Sequence, residues 1–172
     1  MAIKRSMPPA GSTDACLLIL GSLPGEASLA SQRYYAHPQN QFWRLLGQAI
    51  DQPLAQLRYE QRLARLAERG IALWDVVATA RRLGSLDGAI RDATANQLDD
   101  FIATHPRLRA VAFNGKTAAR LGRLAIGDRG GIELIDLPSS SPAYTLSFEE
   151  KAKRWGVLAS LACPAEVATL SR

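Results

Sequence analysis

Short apolar runs and longer amphipathic stretches alternate along the chain. Four runs of five to seven residues are mostly uninterrupted by polar positions: 15–21, 71–77, 109–113 and 132–137. Runs of this kind are typical of strands that are buried on both faces, as in a parallel sheet covered by helices. The pattern therefore predicts four such strands.

Segments with helical spacing lie between and after these runs. They cover 42–50, 53–69, 94–104, 116–124 and a last stretch that begins at Ser147. Thr94 with Gln97, and Ser147 with Glu150, have the spacing of capping boxes at helix starts. Because a helical stretch follows every predicted strand, we expect an α/β fold: a three-layer α/β/α sandwich around a four-stranded, mainly parallel sheet.

This architecture predicts where the chemistry lies, because open parallel sheets bind ligands beyond the carboxyl ends of their strands. The segments that follow the four predicted strands are rich in turn formers, small polar residues or bases. They are 21–25 (Gly-Ser-Leu-Pro-Gly), 78–82 (Ala-Thr-Ala-Arg-Arg), 114–117 (Asn-Gly-Lys-Thr) and 138–142 (Pro-Ser-Ser-Ser-Pro). We expect these segments to form one shared site.

The composition adds a preference for a polyanionic partner. The 172 residues include 21 Lys and Arg against 16 Asp and Glu, which gives a formal charge of +5 and a pI near 9.6. Each phosphate that Lys or Arg neutralises releases a counterion, which favours nucleic-acid binding. Many small proteins are mildly basic, so the charge alone leaves both interpretations open.

Two cysteines and two histidines limit the metal chemistry that the chain offers. Cys16 lies in an apolar run and Cys163 near the end of a predicted helix, so we expect buried free thiols in a reducing cytoplasm. Two cysteines are too few for a four-thiolate cluster, and His37 and His105 have no metal-ligand spacing. We expect no metal site.

The remaining features predict one cytoplasmic, monomeric domain without a membrane partner. Residues 1–13 are basic and then rich in Pro and small residues, and are expected to be a flexible start, followed by a domain at 14–165 and a tail at 166–172. The start lacks the apolar stretch of a secretory signal, and no apolar run approaches membrane-spanning length.

Gly115-Lys116-Thr117 invites comparison with a phosphate-binding loop. Such a loop needs a glycine five residues before its Gly-Lys pair, and that position is Ala110, inside a predicted strand. A nucleotide hydrolase that uses Lys116 is therefore a weak alternative. Asn114 is more informative because its amide both donates and accepts hydrogen bonds, although turn formation or helix capping explains it equally well.

The segment 21–43 concentrates aromatic and amide side chains. Aromatic faces stack on unpaired bases, which contributes about 1–3 kcal/mol per base. Tyr34 and Tyr35 lie in a predicted loop and are candidates for a ligand, whereas Phe42 and Trp43 begin a helix and fit the core better.

The polar loop at 138–142 and the pair Arg81–Arg82 have two interpretations each. The loop is either a rigid polar turn or a grip on phosphates, which receive a large share of protein–DNA contacts. The two arginines are either solvated surface charges or clamps on the nucleic-acid backbone.

Four linked motifs then resemble a known family. They are Gly-Ser-Leu-Pro-Gly at 21–25, Tyr-Tyr-Ala-His-Pro-Gln-Asn-Gln-Phe-Trp at 34–43, Phe-Asn-Gly-Lys at 113–116 and Leu-Pro-Ser-Ser-Ser-Pro-Ala at 137–143. In order and spacing they resemble the uracil-DNA glycosylase superfamily, and within it the branch of hypoxanthine-DNA (deoxyinosine) glycosylases called family 6. The resemblance runs from about residue 15 to 157.

The resemblance implies a base-excision repair enzyme that flips a deaminated base out of double-stranded DNA and hydrolyses its N-glycosidic bond without metal or cofactor. By position, Asn40 and Asn114 match catalytic amides. The implied base-binding residues are Ser22, Leu23, Tyr35, Phe42 and Asp75, with Tyr35 stacking on the base and Asp75 near its edge. The implied DNA-backbone and intercalation residues are Gly25, Lys116, Pro138, Ser139, Ser140, Ser141, Pro142, Ala143 and Tyr144.

Two departures from the family pattern bear on the mechanism. Other branches place Asp or Asn just before the proline of the first motif to activate or position water, and here that position is Leu23. Some branches begin the later loop with His, and here that position is Leu137. The alternatives are a uracil- or thymine-mismatch glycosylase on the same fold, and a protein that binds damaged DNA without cutting it.

Overall fold

The order of strands and helices follows the alternation in the sequence. In the computed structural model, which describes residues 2–164, the strands are β1 (Ile3–Arg5), β2 (Ala10–Gly11), β3 (Leu17–Gly21), β4 (Ile71–Asp75), β5 (Val77–Arg81), β6 (Arg91–Ala95), β7 (Ala110–Asn114) and β8 (Glu133–Leu137). The α-helices are α1 (Glu26–Ser31), α2 (Phe42–Ala49), α3 (Tyr59–Glu68), α4 (Leu98–Thr104), α5 (Lys116–Ile126) and α6 (Phe148–Trp155). Short 3-10 helices span Leu54–Gln56, Asp87–Ala89 and Gly156–Ser160.

The main sheet has the strand order β2-β4-β3-β7-β8. Strands β4, β3, β7 and β8 are parallel, which confirms the four predicted strands and the α/β class. The short strand β2 adds an antiparallel edge beside β4 that the sequence pattern did not indicate. All four parallel strands end at the same edge, so the loops that follow them meet there.

Alternate residues of the central strand β3 point into two separate cores. Leu17 and Ile19 pack with residues of α2, α3 and α6 on one face, whereas Leu18 and Leu20 pack with α4 and α5 on the other. Since successive side chains of a strand point to opposite faces, an uninterrupted apolar run is what a sheet covered on both sides requires. The two cores make the three layers of the sandwich.

A second sheet has the order β1-β5-β6. The start of the chain and the segment around Thr94 both differ from the sequence expectation. Within the predicted flexible start, residues 3–5 pair with β5 and residues 10–11 pair with β4. The predicted helix 94–104 begins only at Leu98, because Thr94 lies in β6 opposite Thr79 of β5. Tertiary strand pairing therefore overrides the capping-box spacing of Thr94. The predicted tail at 166–172 lies outside the described residues.

The prediction of free cysteine thiols is wrong, since Cys16 and Cys163 form a disulfide across 147 residues of sequence. Cys16 precedes β3 at the amino edge of the sheet, and the chain after α6 returns to that edge, where the Cys163 amide donates to the Arg69 carbonyl at 2.9 Å. Gly70 has a positive φ of 64°, and a Cβ there would lie 2.8 Å from the Cys163 sulfur. The cysteines consequently give no argument for a reducing compartment.

Among residues 2–164, no helix is both long enough and apolar enough to cross a bilayer.

Two glycines provide a matched test of the packing of α5 on β7. A Cβ at Gly122 would overlap the ring of Phe113, whereas a Cβ at Gly156 would meet nothing within 4 Å. We expect Gly122→Ala to lower the free energy of unfolding by about 1–3 kcal/mol through overpacking, although alanine favours helices. Gly156→Ala should leave stability unchanged or raise it slightly. Urea unfolding of both variants checks this, and equal midpoints would contradict the close approach of α5 to β7.

Candidate active site

The loops at the carboxyl ends of the parallel strands enclose a cavity of about 420 Å³. This volume lies within the range of small-molecule sites. Of the predicted catalytic and base-binding residues, the cavity is lined by Ser22, Leu23, Tyr35, Asn40, Asp75 and Asn114. Of the predicted DNA-contacting residues, it is lined by Gly25, Ser139, Ser140, Ser141, Pro142, Ala143 and Tyr144. Residues from 21 to 144 thus meet at one edge of the sheet.

Three predicted site residues lie outside this lining. Phe42 is fully buried in the core and stacks on Tyr35, with ring centroids 3.7 Å apart. Lys116 is exposed at the first position of α5. Pro138 is buried, and its carbonyl accepts a hydrogen bond from the Trp155 indole at 2.9 Å. In this arrangement Phe42 and Pro138 support neighbouring groups from behind.

Asn114 joins the end of β7 to the loop that follows β8. Its Nδ2 donates to the Ser140 hydroxyl at 2.9 Å, and its Oδ1 accepts from the Ser140 amide at 2.9 Å. Asn114 therefore does not cap α5; Gly115, with a φ of 96°, is the residue at that helix start. The pair is buried and holds two cavity walls at a fixed separation.

Asn40 is half-buried at the rim of the cavity, just before α2. Its Oδ1 accepts from the Phe42 amide at 2.9 Å, which orients the side chain at the helix start. No residue between 2 and 164 accepts a hydrogen bond from the Asn40 Nδ2 group, so this donor is available to a ligand. Because the contact with the Phe42 amide uses only Oδ1, Asn40 orients its side chain at the helix start and still offers its Nδ2 hydrogens to a ligand.

Tyr35 presents its ring to the cavity from a backbone position with a φ of 55°, which is unusual for a residue other than glycine. Its hydroxyl is buried and has no hydrogen-bond partner of normal geometry, although Asn114 lies beside it. Burial and the nearby Asp75 carboxylate raise the pKa of Tyr35 well above its usual value, so the hydroxyl keeps its proton.

Asp75, at the end of β4, is the most buried carboxylate of the cavity. Burial and the charge of Asp87 raise its pKa to about 7, against a smaller opposing effect of Arg82. Its Oδ2 atom is buried without a partner. A Cβ at Gly21 would lie 2.6 Å from Asp75 Oδ1 and 3.0 Å from the Tyr35 hydroxyl, so only glycine fits between them. Unsatisfied buried polar atoms are rare, and these two belong to residues that line the same cavity.

The loop between β5 and β6 contributes cavity residues that the sequence reasoning missed, namely Ser85, Leu86 and Asp87. The Ser22 hydroxyl donates to Asp87 Oδ1 at 2.6 Å, and the Glu26 amide donates to the Ser85 hydroxyl at 3.0 Å. In the sequence, the three missed residues lie in a run of turn formers at 84–88. This run follows a predicted strand but has neither a helix nor a strand period, so it indicates only a loop. Both earlier interpretations of Arg82 are wrong: it is buried and donates to the carbonyls of Leu23 and Pro24.

Lys151 of α6 was also missed, because a helix lysine is normally expected at the surface. Its ammonium is buried, which lowers its pKa. It donates to Gln41 Oε1 at 3.0 Å and to the Ser141 carbonyl at 3.2 Å. Lys151 therefore ties the Asn40 loop to the loop that carries Ser140.

A basic depression continues from the cavity, sharing Tyr35, His37 and Asn40 with it. It is lined by the four arginines Arg33, Arg44, Arg58 and Arg62, together with the carboxylate of Glu60. Part of the excess positive charge of the chain thus lies next to the cavity. Residues 2–164 hold no group of three His, Cys, Asp or Glu side chains placed to bind a metal ion.

Comparison with known proteins agrees with this geometry. A model of the uracil DNA glycosylase superfamily matches residues 8–161. Two relatives named hypoxanthine DNA glycosylase, from Methanosarcina acetivorans and Methanosarcina barkeri, are 39% and 38% identical to the chain, covering 89% and 88% of it and 96% and 95% of their own lengths. A solution NMR structure of a candidate uracil DNA glycosylase from Methanosarcina acetivorans superposes with a TM-score of 0.82 at 37% identity, over 93% of this chain and 99% of that one.

The chain belongs to the uracil DNA glycosylase superfamily. The predicted class of enzyme, a DNA glycosylase, is thereby confirmed, and so is the family resemblance drawn from the four motifs.

The pKa of Asp75 predicts how stability depends on pH. Because this pKa is about 7 in the folded protein and about 4 in an unfolded chain, the folded state favours the protonated acid. The associated stability is fully present below about pH 4 and is lost as the pH rises through 7.

Asp75→Asn removes the buried charge, so it should be more stable than the parent protein at about pH 8, by on the order of 2–4 kcal/mol. The difference should shrink steadily as the pH falls toward 5. Thermal unfolding across pH measures it, with the exposed Asp128→Asn as the control that should show no such trend. A pH-independent difference would mean that Asp75 titrates normally.

Proposed function

We propose that the enzyme hydrolyses the N-glycosidic bond of hypoxanthine in double-stranded DNA, that is, of deoxyinosine flipped out of the helix. The observation that carries this is the pair of unpartnered polar atoms, the Tyr35 hydroxyl and Asp75 Oδ2, in two residues that line the cavity of about 420 Å³. The names of the two Methanosarcina relatives support the same base.

Asp75 distinguishes bases by the hydrogens on their edges. With a pKa of about 7, Asp75 is partly ionised at neutral pH, and in that form its carboxylate only accepts hydrogen bonds, so it favours a base that presents an N–H group. Hypoxanthine has a proton on N1 next to a carbonyl at C6, whereas adenine has an unprotonated N1. Asp75 accepts from N1–H, while amide donors of Asn114 or Asn40 contact the carbonyl. Tyr35, backed by Phe42, stacks on the ring.

Asn40 acts on the transition state as a fixed dipole. Its Oδ1 is already held by the Phe42 amide, so the side chain needs little reorganisation when charge develops on the sugar and the base. The C–N bond breaks with its electron pair moving to the base, and water replaces the base at the sugar. An amide cannot take a proton from that water, so Asn40 orients it or stabilises the charge.

The exposed rim of the cavity supplies the contacts to duplex DNA. Pro142, Ala143 and Tyr144 are exposed at the tip of the loop after β8, where they fill the gap that the flipped nucleotide leaves. Ser139, Ser141 and Gly25, with the neighbouring basic depression, contact phosphates. We propose that the enzyme acts as a monomer on chromosomal DNA in the cytoplasm.

Removal of uracil is the second candidate, because uracil also presents an N–H beside a carbonyl and suits the same Asp75. Release of base from duplexes that contain hypoxanthine, uracil or xanthine, measured as strand breaks after alkali, separates the candidates. We expect the fastest release from the hypoxanthine duplex. Release of uracil alone would replace the proposed substrate, and abasic sites on none of the three would remove the proposal.

Asn40→Ala should lower single-turnover cleavage of a deoxyinosine duplex by about 100-fold or more, because a preorganised donor contributes roughly this much to transition-state stabilisation. DNA binding, measured by fluorescence anisotropy, should stay nearly constant. The neighbouring and exposed Gln39→Ala is the matched control and should cleave like the parent protein. Unchanged cleavage by Asn40→Ala would take this residue out of the mechanism.

A further inference from the structure

The position that carries the water-activating acid in other branches is Leu23, whose side chain packs with Val77 and Ala80. No proton acceptor is available at that position of the chain. A carboxylate from another segment nevertheless lies beside it. Asp87 lines the same cavity and accepts a hydrogen bond of 2.6 Å from Ser22, the residue immediately before Leu23.

The segment 82–87 is fastened to the first motif at several points, which holds Asp87 in place. The buried guanidinium of Arg82 donates to the carbonyls of Leu23, at 3.2 Å, and of Pro24. The Glu26 amide donates to the Ser85 hydroxyl at 3.0 Å. Together with the bond between Ser22 and Asp87, these contacts hold the loop of Asp87 against residues 22–26.

The two carboxylates of the cavity lie in different environments. Asp75 is 3% exposed, at a point closed off by Gly21 and Tyr35. Asp87 is half-buried, and only its Oδ1 has a hydrogen-bond partner among residues 2–164, so Oδ2 is available to a water molecule. Asp75 is therefore the more enclosed carboxylate, which suits contact with the base, and Asp87 is the more accessible one, which suits contact with water.

We propose that Asp87 is the water-activating carboxylate of this enzyme and replaces, from a different segment of the chain, the acid that is absent at Leu23. This inference rests on the proposed glycosylase reaction. The C1′–N9 bond breaks and its electron pair leaves with hypoxanthine. The water oxygen then bonds to C1′ while its proton passes to Asp87 Oδ2, and from there to the departing base or to solvent. The products are free hypoxanthine and an abasic site.

The charges around Asp87 are compatible with this role. Burial raises the pKa of Asp87, whereas the Ser22 hydroxyl and the Arg82 guanidinium lower it. Asp75 also faces this region, and Glu26 faces Arg82. A carboxylate whose pKa is raised is a stronger base than a fully solvated one, and Ser22 and Arg82 favour its ionised form, which is the form that accepts a proton.

Asp87→Asn keeps the shape of the side chain and removes the proton acceptor. Single-turnover cleavage of a deoxyinosine duplex should fall by about 100-fold or more, while the Kd for the same duplex changes by no more than about threefold. Asp128→Asn, on an exposed loop, is the matched control and should cleave at the parent rate. A near-parental rate for Asp87→Asn would overturn the proposal.

A purely structural role of Asp87, as the partner of Ser22, is separated by chemical rescue. Formate is a small carboxylate that should enter the space left by Asp87→Ala and raise its cleavage rate at least about tenfold, with no effect on the parent protein or Asp128→Asn. Loss of cleavage together with loss of DNA binding, and without formate rescue, would show that Asp87 only supports the loop. If Asp87→Asn does not fold, Asp87→Ala and Asp87→Ser undergo the same test.

Base release by the parent protein tests the proposed function separately from the role of Asp87. If the parent protein releases no base from any of the duplexes, the glycosylase proposal fails before Asp87 is tested. If the parent protein releases hypoxanthine and the Asp87 variants do as well, the reaction stands and only the role of Asp87 falls.

Discussion

The reciprocal hydrogen bonds between Asn114 and Ser140 are the interaction on which the site depends. They join the end of a central strand to a loop that begins one strand further out, and both partners are buried. A buried amide that makes both bonds gains more than it would in water, and breaking either bond leaves a polar group unsatisfied. The walls of the cavity are therefore held at a set distance before any base arrives.

Polar groups that support the site are satisfied, whereas the groups that face the ligand are not. Arg82, Lys151 and Trp155 each donate to loop carbonyls or to an amide oxygen, and in this way connect the strand-end loops to one another. The Tyr35 hydroxyl and Asp75 Oδ2, in contrast, are buried without partners. Leaving such groups unpaired costs stability, and a bound base that supplies the missing partners recovers it. For the proposed function, rigid surroundings with two unpartnered polar groups suit the selective capture of one flipped base.

The loop at 82–87 brings a carboxylate close to the first motif, which has no acid of its own. Leu23 packs in a small apolar cluster with Val77 and Ala80. A carboxylate from the adjoining loop reaches the same region because Arg82 and Ser85 hold that loop against the first motif. A comparison of separate motifs detects that Leu23 is not an acid. It does not detect the nearby carboxylate, because that carboxylate belongs to another segment of the chain.

The sequence by itself determined the four parallel strands, the three-layer class and three of the four segments expected at one edge, because uninterrupted apolar runs and helical spacing reflect local burial. The fourth expected segment, 78–82, lines no part of the cavity, because residues 77–81 form β5 of the second sheet. It also placed Asn114 at that edge, since the end of a strand is readable from where an apolar run stops, whereas Asn40 and Asp75 were assigned to the site by the family resemblance. Only the tertiary structure decided that residues 3–5 and 94–95 join a second sheet, that Cys16 meets Cys163, and that Arg82, Asp87 and Lys151 turn inward. Those outcomes depend on contacts between residues that lie far apart in the chain, or on a loop whose hydrophobic pattern has neither a helix nor a strand period. A local pattern carries no information about either, because the partner that buries or pairs a residue is not encoded next to it.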